Sequence, residues 1–175
     1  MGEKRLEKLK EEYDIQVEWK AYELMPEGRP RPTSEQLEKG FESFKKTAAK
    51  EGLEVNFNPH FSSSRLALEG AKYAQEKGKF EAYNQRIFEA QFIKSLNIND
   101  LDVLTTIAGD ADLDSADFRS ALEERRLKDA VEADFAEAKR LEVMAVPTFF
   151  IGDTRIVGAQ PEAAFVNAVK KTQAK

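Results

Sequence analysis

The sequence predicts an α/β fold in which strands near the two ends of the chain enclose a helical insert. Three observations carry this. Ile15, Val17, Trp19 and Ala21 alternate with Gln16, Glu18, Lys20 and Tyr22, the period of a strand with one buried and one wet face. Phe149–Phe150–Ile151 is an uninterrupted apolar run that suits a strand covered on both faces; Gly152–Asp153 then offers a two-residue turn into a second strand over Thr154–Val157. Between these stretches the apolar residues recur mainly at helical spacing.

Taken in order, Glu3–Glu12 reads as a helix with Leu6, Leu9 and Tyr13 along one side. It opens without a Ser, Thr, Asp or Asn cap, which fits either a frayed terminus or the loss of something that once preceded it. The strand over 15–21 follows, and the Pro-rich segment Met25–Pro32 makes a stiff connection. Thr33 and Gln36 have the spacing of a capping box, and the helix they start carries Leu37, Phe41, Phe44 and Ala48 on one side before Gly52. That Phe stripe reads as core. Leu53–Phe57 alternates briefly and ends at the turn signal Asn58–Pro59. Ser62, Ser63 and Ser64 read as caps for a helix with Leu66, Gly70, Tyr73 and Ala74 facing inward.

From Lys79 the helical period resumes through Phe80, Tyr83, Ile87 and Ala90, closing near Phe92. Asn99 is placed to cap a shorter helix holding Leu101, Leu104 and Ile107. Leu113 and Phe118 bracket Asp114 at staple spacing and mark another helix start. Leu127, Val131, Phe135 and Ala138 line a long helix that runs to Leu141 and delivers the chain to Val146–Pro147. On its residues alone Pro147 reads as an ordinary trans proline at the mouth of a strand, where its missing N–H matters least. After the hairpin, Gly158–Ala159–Gln160–Pro161 leads into a last helix with Pro161 in its first turn and Ala164, Phe165, Ala168 and Val169 as its apolar face.

Composition excludes several functions. The 175 residues are 41% hydrophobic with 12 Phe, ample for one compact domain or one with an embedded subdomain. A net charge of −5 argues against nucleic acid or an anionic membrane as partner. No apolar run is long enough to span a bilayer and Met1 is followed by charge, so a cytoplasmic protein is expected. The sequence holds no cysteine, and therefore no disulfide, thiolate nucleophile or thiolate metal site. His60 is the only histidine and sits in a turn, where it reads as a surface residue. Three serines at a helix start read as caps rather than nucleophiles, and pairs such as Glu123–Glu124 read as solvated helix faces. There is no P-loop pattern. The expected catalytic set, metal set and cofactor are accordingly none.

Four stretches carry a resemblance: Glu3–Lys4–Arg5–Leu6–Glu7–Lys8, Trp19–Lys20–Ala21–Tyr22–Glu23–Leu24, Val146–Pro147–Thr148–Phe149 and Val157–Gly158–Ala159–Gln160–Pro161. In this order they resemble the DsbA-like thioredoxin-fold family, in particular its cytoplasmic FrnE-type branch. The first is similar to the helix after that family's redox motif, the second to its second strand, the third to its cis-proline loop and the fourth to the lead into its last helix. The resemblance implies a thioredoxin-like fold with a helical insertion and the first central strand absent. The thioredoxin-like domain would be 1–32 with 141–175, and the insertion 33–140. In that family a first strand and a Cys-x-x-Cys precede the position of Gly2, so a truncated form of a longer polypeptide is expected.

The implied function is that of a thiol–disulfide oxidoreductase homologue that is redox-inert because it has no cysteine. A Cys-x-x-Cys works through a helix N-terminus that lowers the pKa of its leading thiol. The implied substrate-binding residues are Val146, offering backbone hydrogen bonds to a peptide or glutathione, and Pro147, whose cis bond would keep that backbone accessible. Expected partners are a peptide or protein thiol substrate, with glutathione as the other ligand, no nucleic acid and no membrane. Two alternatives stay open: a non-catalytic peptide-binding or chaperone-like module, and a glutathione-binding relative of kappa-class transferases or 2-hydroxychromene-2-carboxylate isomerases. Without the central strand, residues 15–24 and 148–151 lose a shared neighbour. Rearrangement, or a homodimer in which a second copy fills the gap, would close it.

Overall fold

The computed structural model describes residues 2–24, 30, 32–60 and 63–173. Its elements are α1 (Gly2–Glu12), α2 (Ser34–Lys50), α3 (Arg65–Glu76), α4 (Phe80–Phe92), α5 (Leu101–Asp110), α6 (Ser115–Glu123), α7 (Lys128–Arg140), β1 (Thr148–Ile151), β2 (Thr154–Val157) and α8 (Glu162–Gln173). Most of the Pro-rich connection over 25–32, and Ser62, lie outside the described residues. The chain divides into two compact units, one made of Met1–Lys20 with Glu137–Lys175 and the other of Ala21–Ala136.

In the first unit β1 and β2 form an antiparallel hairpin in which Thr148 faces Val157 and Ile151 faces Thr154. Gly152, at φ 55°, opens the two-residue turn, a left-handed backbone that glycine adopts without a Cβ clash. Side chains alternate across a strand, so Phe149, Ile151 and Ile156 share one face and pack on Leu6, Leu9, Phe165, Ala168 and Val169 of α1 and α8. The Phe149 ring meets Phe165 edge-on at 4.9 Å. Lys8 Nζ on α1 reaches Glu162 on α8 at 2.8 Å.

Two expectations fail in this unit. Phe150 is 46% exposed, with the Arg155 guanidinium 5.2 Å from its ring, so β1 is covered on one face rather than both. An apolar triplet says that a strand is sticky; it does not supply a second layer. The strand expected over 15–21 is likewise not formed, since residues 14–23 enter no β ladder. Their pattern nevertheless acts as read: Tyr13, Ile15, Val17 and Trp19 are half-buried against the same core while Asp14, Gln16, Glu18 and Lys20 are exposed. Period-two burial comes from the side chains, whereas a ladder needs a neighbouring backbone. The sheet contains only β1 and β2 among the described residues.

The second unit is helical. Tyr83, Leu104, Phe118 and Leu122 are fully buried in its core, with Phe118 5.3 Å from the Tyr73 ring and 5.6 Å from the Tyr83 ring. Local signals mostly hold. Thr33 and Gln36 form the capping box, Gly52 follows α2 at φ 69°, and Asp114 accepts from Ala116 N–H and Asp117 N–H. Asp100, not Asn99, caps α5, accepting from Asp102 N–H and Val103 N–H. Ser64 takes the N-cap position of α3 with no side-chain bond; the Ser63 hydroxyl accepts from Arg65 N–H instead. The stripe on α2 is not core: of its residues only Ala48 is buried.

Candidate substrate-binding site at the Val146–Pro147 loop

The site is built where α7 ends and β1 begins. α7 closes with Glu142 in the left-handed region at φ 52°, Glu142 N–H bonding to Lys139 O and Val143 N–H to Ala138 O. The chain then runs outward through Met144, which is 88% exposed, to Val146 and Pro147. The Val146–Pro147 peptide bond is cis.

Both flanks of the loop are pinned. Thr148 Oγ1–H donates to Ala145 O at 2.6 Å, and Gly158 N–H donates to Pro147 O at 2.7 Å. Gly158 is at φ 80°, and the Gln160 side-chain amide bonds to Val157 O at 2.9 Å. The Pro147–Gly158 bond also sets the phase of the hairpin. In an antiparallel pair hydrogen-bonded positions alternate, so Phe149 and Ile151 direct their N–H and C=O groups to β2, while Thr148 and Phe150 direct theirs to the opposite edge. No strand occupies that edge among the described residues.

Val146 itself stands apart. The residue is 40% exposed, and neither its N–H nor its C=O hydrogen-bonds to the described residues. A held loop with one free donor and one free acceptor can pair with the backbone of an extended ligand. Chemically the site can bind and orient. It offers no nucleophile and no titratable side chain within the loop.

The other residues weighed from the sequence do not join it. His60 is exposed in the helical unit, its own N–H bonded to Asn58 Oδ1 at 2.8 Å. No group of three His, Cys, Asp or Glu fit to hold a metal ion occurs among the described residues. No helix there is long and apolar enough to cross a membrane.

The structure adds a set of buried acids that periodicity alone passes over. Glu69, fully buried on α3, takes three bonds from the Arg125 guanidinium at 2.6–3.2 Å. Asp134, buried on α7, accepts from Ala21 N–H at 2.6 Å and pairs with Lys72 Nζ at 2.6 Å. Glu23 accepts from Ser63 Oγ–H at 2.8 Å and from Arg65 at 3.0 and 3.2 Å, while Arg65 also bonds Glu132 and lies 4.7 Å over the Phe135 ring. Burial works against the Arg65 charge, but Glu132 and Glu23 outweigh it and hold the guanidinium above its ordinary pKa. Each acid faces a cation, so the set ties segments of the helical unit together. The legible signal was an acid at an inward helical position: Glu69 beside Gly70 and one turn before Tyr73, Asp134 three residues after Val131.

A cis-proline loop leading into an antiparallel hairpin, closed by a C-terminal helix and interrupted by a helical unit, defines a thioredoxin-like fold with a helical insertion. The chain belongs to the DSBA-like thioredoxin domain family, which it matches over residues 1–170. It is 38% identical over 170 residues to the Bacillus subtilis (strain 168) protein YwbO, covering 93% of this chain and 84% of that one. It is similar to the crystal structure of a probable DsbA oxidoreductase from Streptomyces coelicolor at 27% identity and TM-score 0.71, over 82% of this chain and 63% of that chain. The chain thus spans under two thirds of that relative. A 2-hydroxychromene-2-carboxylate isomerase shares the fold, with TM-score 0.78 over 98% of this chain and 88% of its own at 19% identity.

Proposed function

We propose that this chain is the substrate-docking part of a DsbA-type thiol–disulfide oxidoreductase of the FrnE-type branch, working in the cytoplasm. Its role is to hold an extended peptide or protein thiol substrate by the backbone at Val146, with Pro147 fixing the loop. The observation that carries this is the exposed Val146, whose N–H and C=O have no hydrogen-bond partner among the described residues, on a loop pinned at each flank. These 175 residues contain no cysteine, so they bind without exchanging disulfides. Membership of the DSBA-like family and the 27% identity to a probable DsbA oxidoreductase support the DsbA-type part of this reading; the FrnE-type branch rests on the four sequence stretches.

The test is an NMR titration of the whole chain with an extended unstructured peptide, and separately with glutathione. A saturable shift of the Val146 amide is expected with the peptide. N-methylation of the peptide at the pairing position should weaken binding by about tenfold, the equivalent of one good hydrogen bond. A Val146 amide that stays still with the peptide sinks the reading, and a shift with glutathione alone would move it to the transferase and isomerase relatives. Measurable oxidation or reduction of a model dithiol by this polypeptide would contradict the redox-inert part.

A further inference from the structure

The apolar stripe of α2 is left half-open by the rest of the chain. Leu37, Phe41, Phe44 and Ala48 recur at four-three-four spacing, the seam of a helix pair, yet the first three are only half-buried. Among the described residues two rings from outside α2 meet the stripe: Phe57 lies 5.4 Å from Phe41, and Phe92 lies 5.4 Å from Phe44. Phe57 is itself 37% exposed and continues the apolar surface outward.

The charges on this helix are ordered along its length. Glu35, Glu38 and Glu42 lie in the first half and Lys45, Lys46 and Lys50 in the second, with Lys39 the exception and already paired to Glu35 at 2.7 Å. Turned end for end, α2 is therefore complementary to itself. Glu38 and Lys45 each follow a stripe residue directly, so they lie on the same flank of the seam. Both are exposed, and neither has an ion partner among the described residues. A two-fold axis pairs a surface with its own copy, and that is the symmetry this charge pattern satisfies.

We propose that α2 is a homodimer interface, two copies packing antiparallel across a two-fold axis. Phe41 sits against the partner subunit's Phe44, and Glu38 pairs with the partner subunit's Lys45. The same contact is repeated in reverse across the axis, giving two ion pairs beside four stacked rings. This surface belongs to the helical unit, whereas the open edge of β1 belongs to the other.

Sedimentation velocity across a concentration series tests it, with far-UV circular dichroism to confirm that each variant is folded. The wild-type chain, of 19.8 kDa, is expected to reach twice that mass. Lys45→Glu should weaken the dimer about tenfold or more, since it sets like charges opposite each other twice. Adding Glu38→Lys to it should restore wild-type association, an outcome that mere structural damage would not produce. Phe150→Lys, at the hairpin, should leave association unchanged. A monomer at every concentration overturns the proposal. So does a dimer insensitive to Lys45→Glu, a failure of the double variant to recover, or a dimer dissolved by Phe150→Lys.

Discussion

Gly70→Ala separates packing from helix propensity because the two predict opposite signs. In the interior of an exposed helix this change gains about 1 kcal/mol. On α3 a Cβ at residue 70 would overlap the Tyr83 hydroxyl and lie 2.8 Å from Phe118 Cζ and 2.9 Å from Tyr83 Cζ. Both rings are 0% exposed, so neither has room to swing away. Overpacking a filled core costs about 1–3 kcal/mol, and meeting two rings at once places this site in the upper part of that range. After the propensity gain, a net loss of about 2 kcal/mol remains, which is roughly 4–8 °C in Tm for a chain of this length. Tyr83→Phe removes the group met first and gives up only a 3.4 Å bond to Ala67 O. Gly70→Ala should therefore cost about 1 kcal/mol less in the Tyr83→Phe background than in the wild type. Thermal and urea melts of the four proteins read the cycle. A Gly70→Ala variant as stable as the wild type, or strict additivity with Tyr83→Phe, would refute the close approach of α3 to these rings.

The remaining predictions concern charge. Arg125→Met strands the fully buried Glu69 carboxylate and should cost about 3 kcal/mol, whereas Glu69→Leu with Arg125→Met should lose clearly less, because no charge is left without a partner; urea denaturation of the two variants compares them. Tyr73 donates to Asp117 at 2.7 Å, and burial together with that carboxylate pushes its pKa from 10.0 up to about 12. The folded state then holds a proton that the unfolded chain releases, so stability falls as pH rises from about 10 to about 12. The Tyr73 hydroxyl and Arg126 hold the Asp117 pKa below its ordinary value, so that contribution is present above the ordinary carboxylate range and is lost as pH falls through the lowered value. Tyr73→Phe should flatten the Tm–pH curve at the alkaline end and lessen the loss at the acid end; an unchanged profile would contradict both shifts.

How much of this was legible follows the range of the interaction. Thr33 with Gln36, Asp114 and the Gly152 turn were readable because cap and turn bonds close within a few residues. Asn99 lost the cap of α5 to its neighbour Asp100 by one position, the usual scale of error when two capping residues are adjacent. Val146 was readable as a candidate only because Pro147, Thr148 and Phe149 follow it in a pattern that a whole family shares. That its N–H and C=O have no partner among the described residues came from the folded loop.

The residues in order determine period, caps, turns and the absence of any thiol, since each of these rests on neighbours along the chain. Whether Ile15–Lys20 joins a ladder, whether Phe150 or Phe41 is covered, and whether Glu69 finds a cation were decided only in three dimensions. A backbone hydrogen bond across strands, a second layer over a side chain and a counter-charge for a buried acid each require a group from far along the chain or from another molecule, and no local pattern records its arrival.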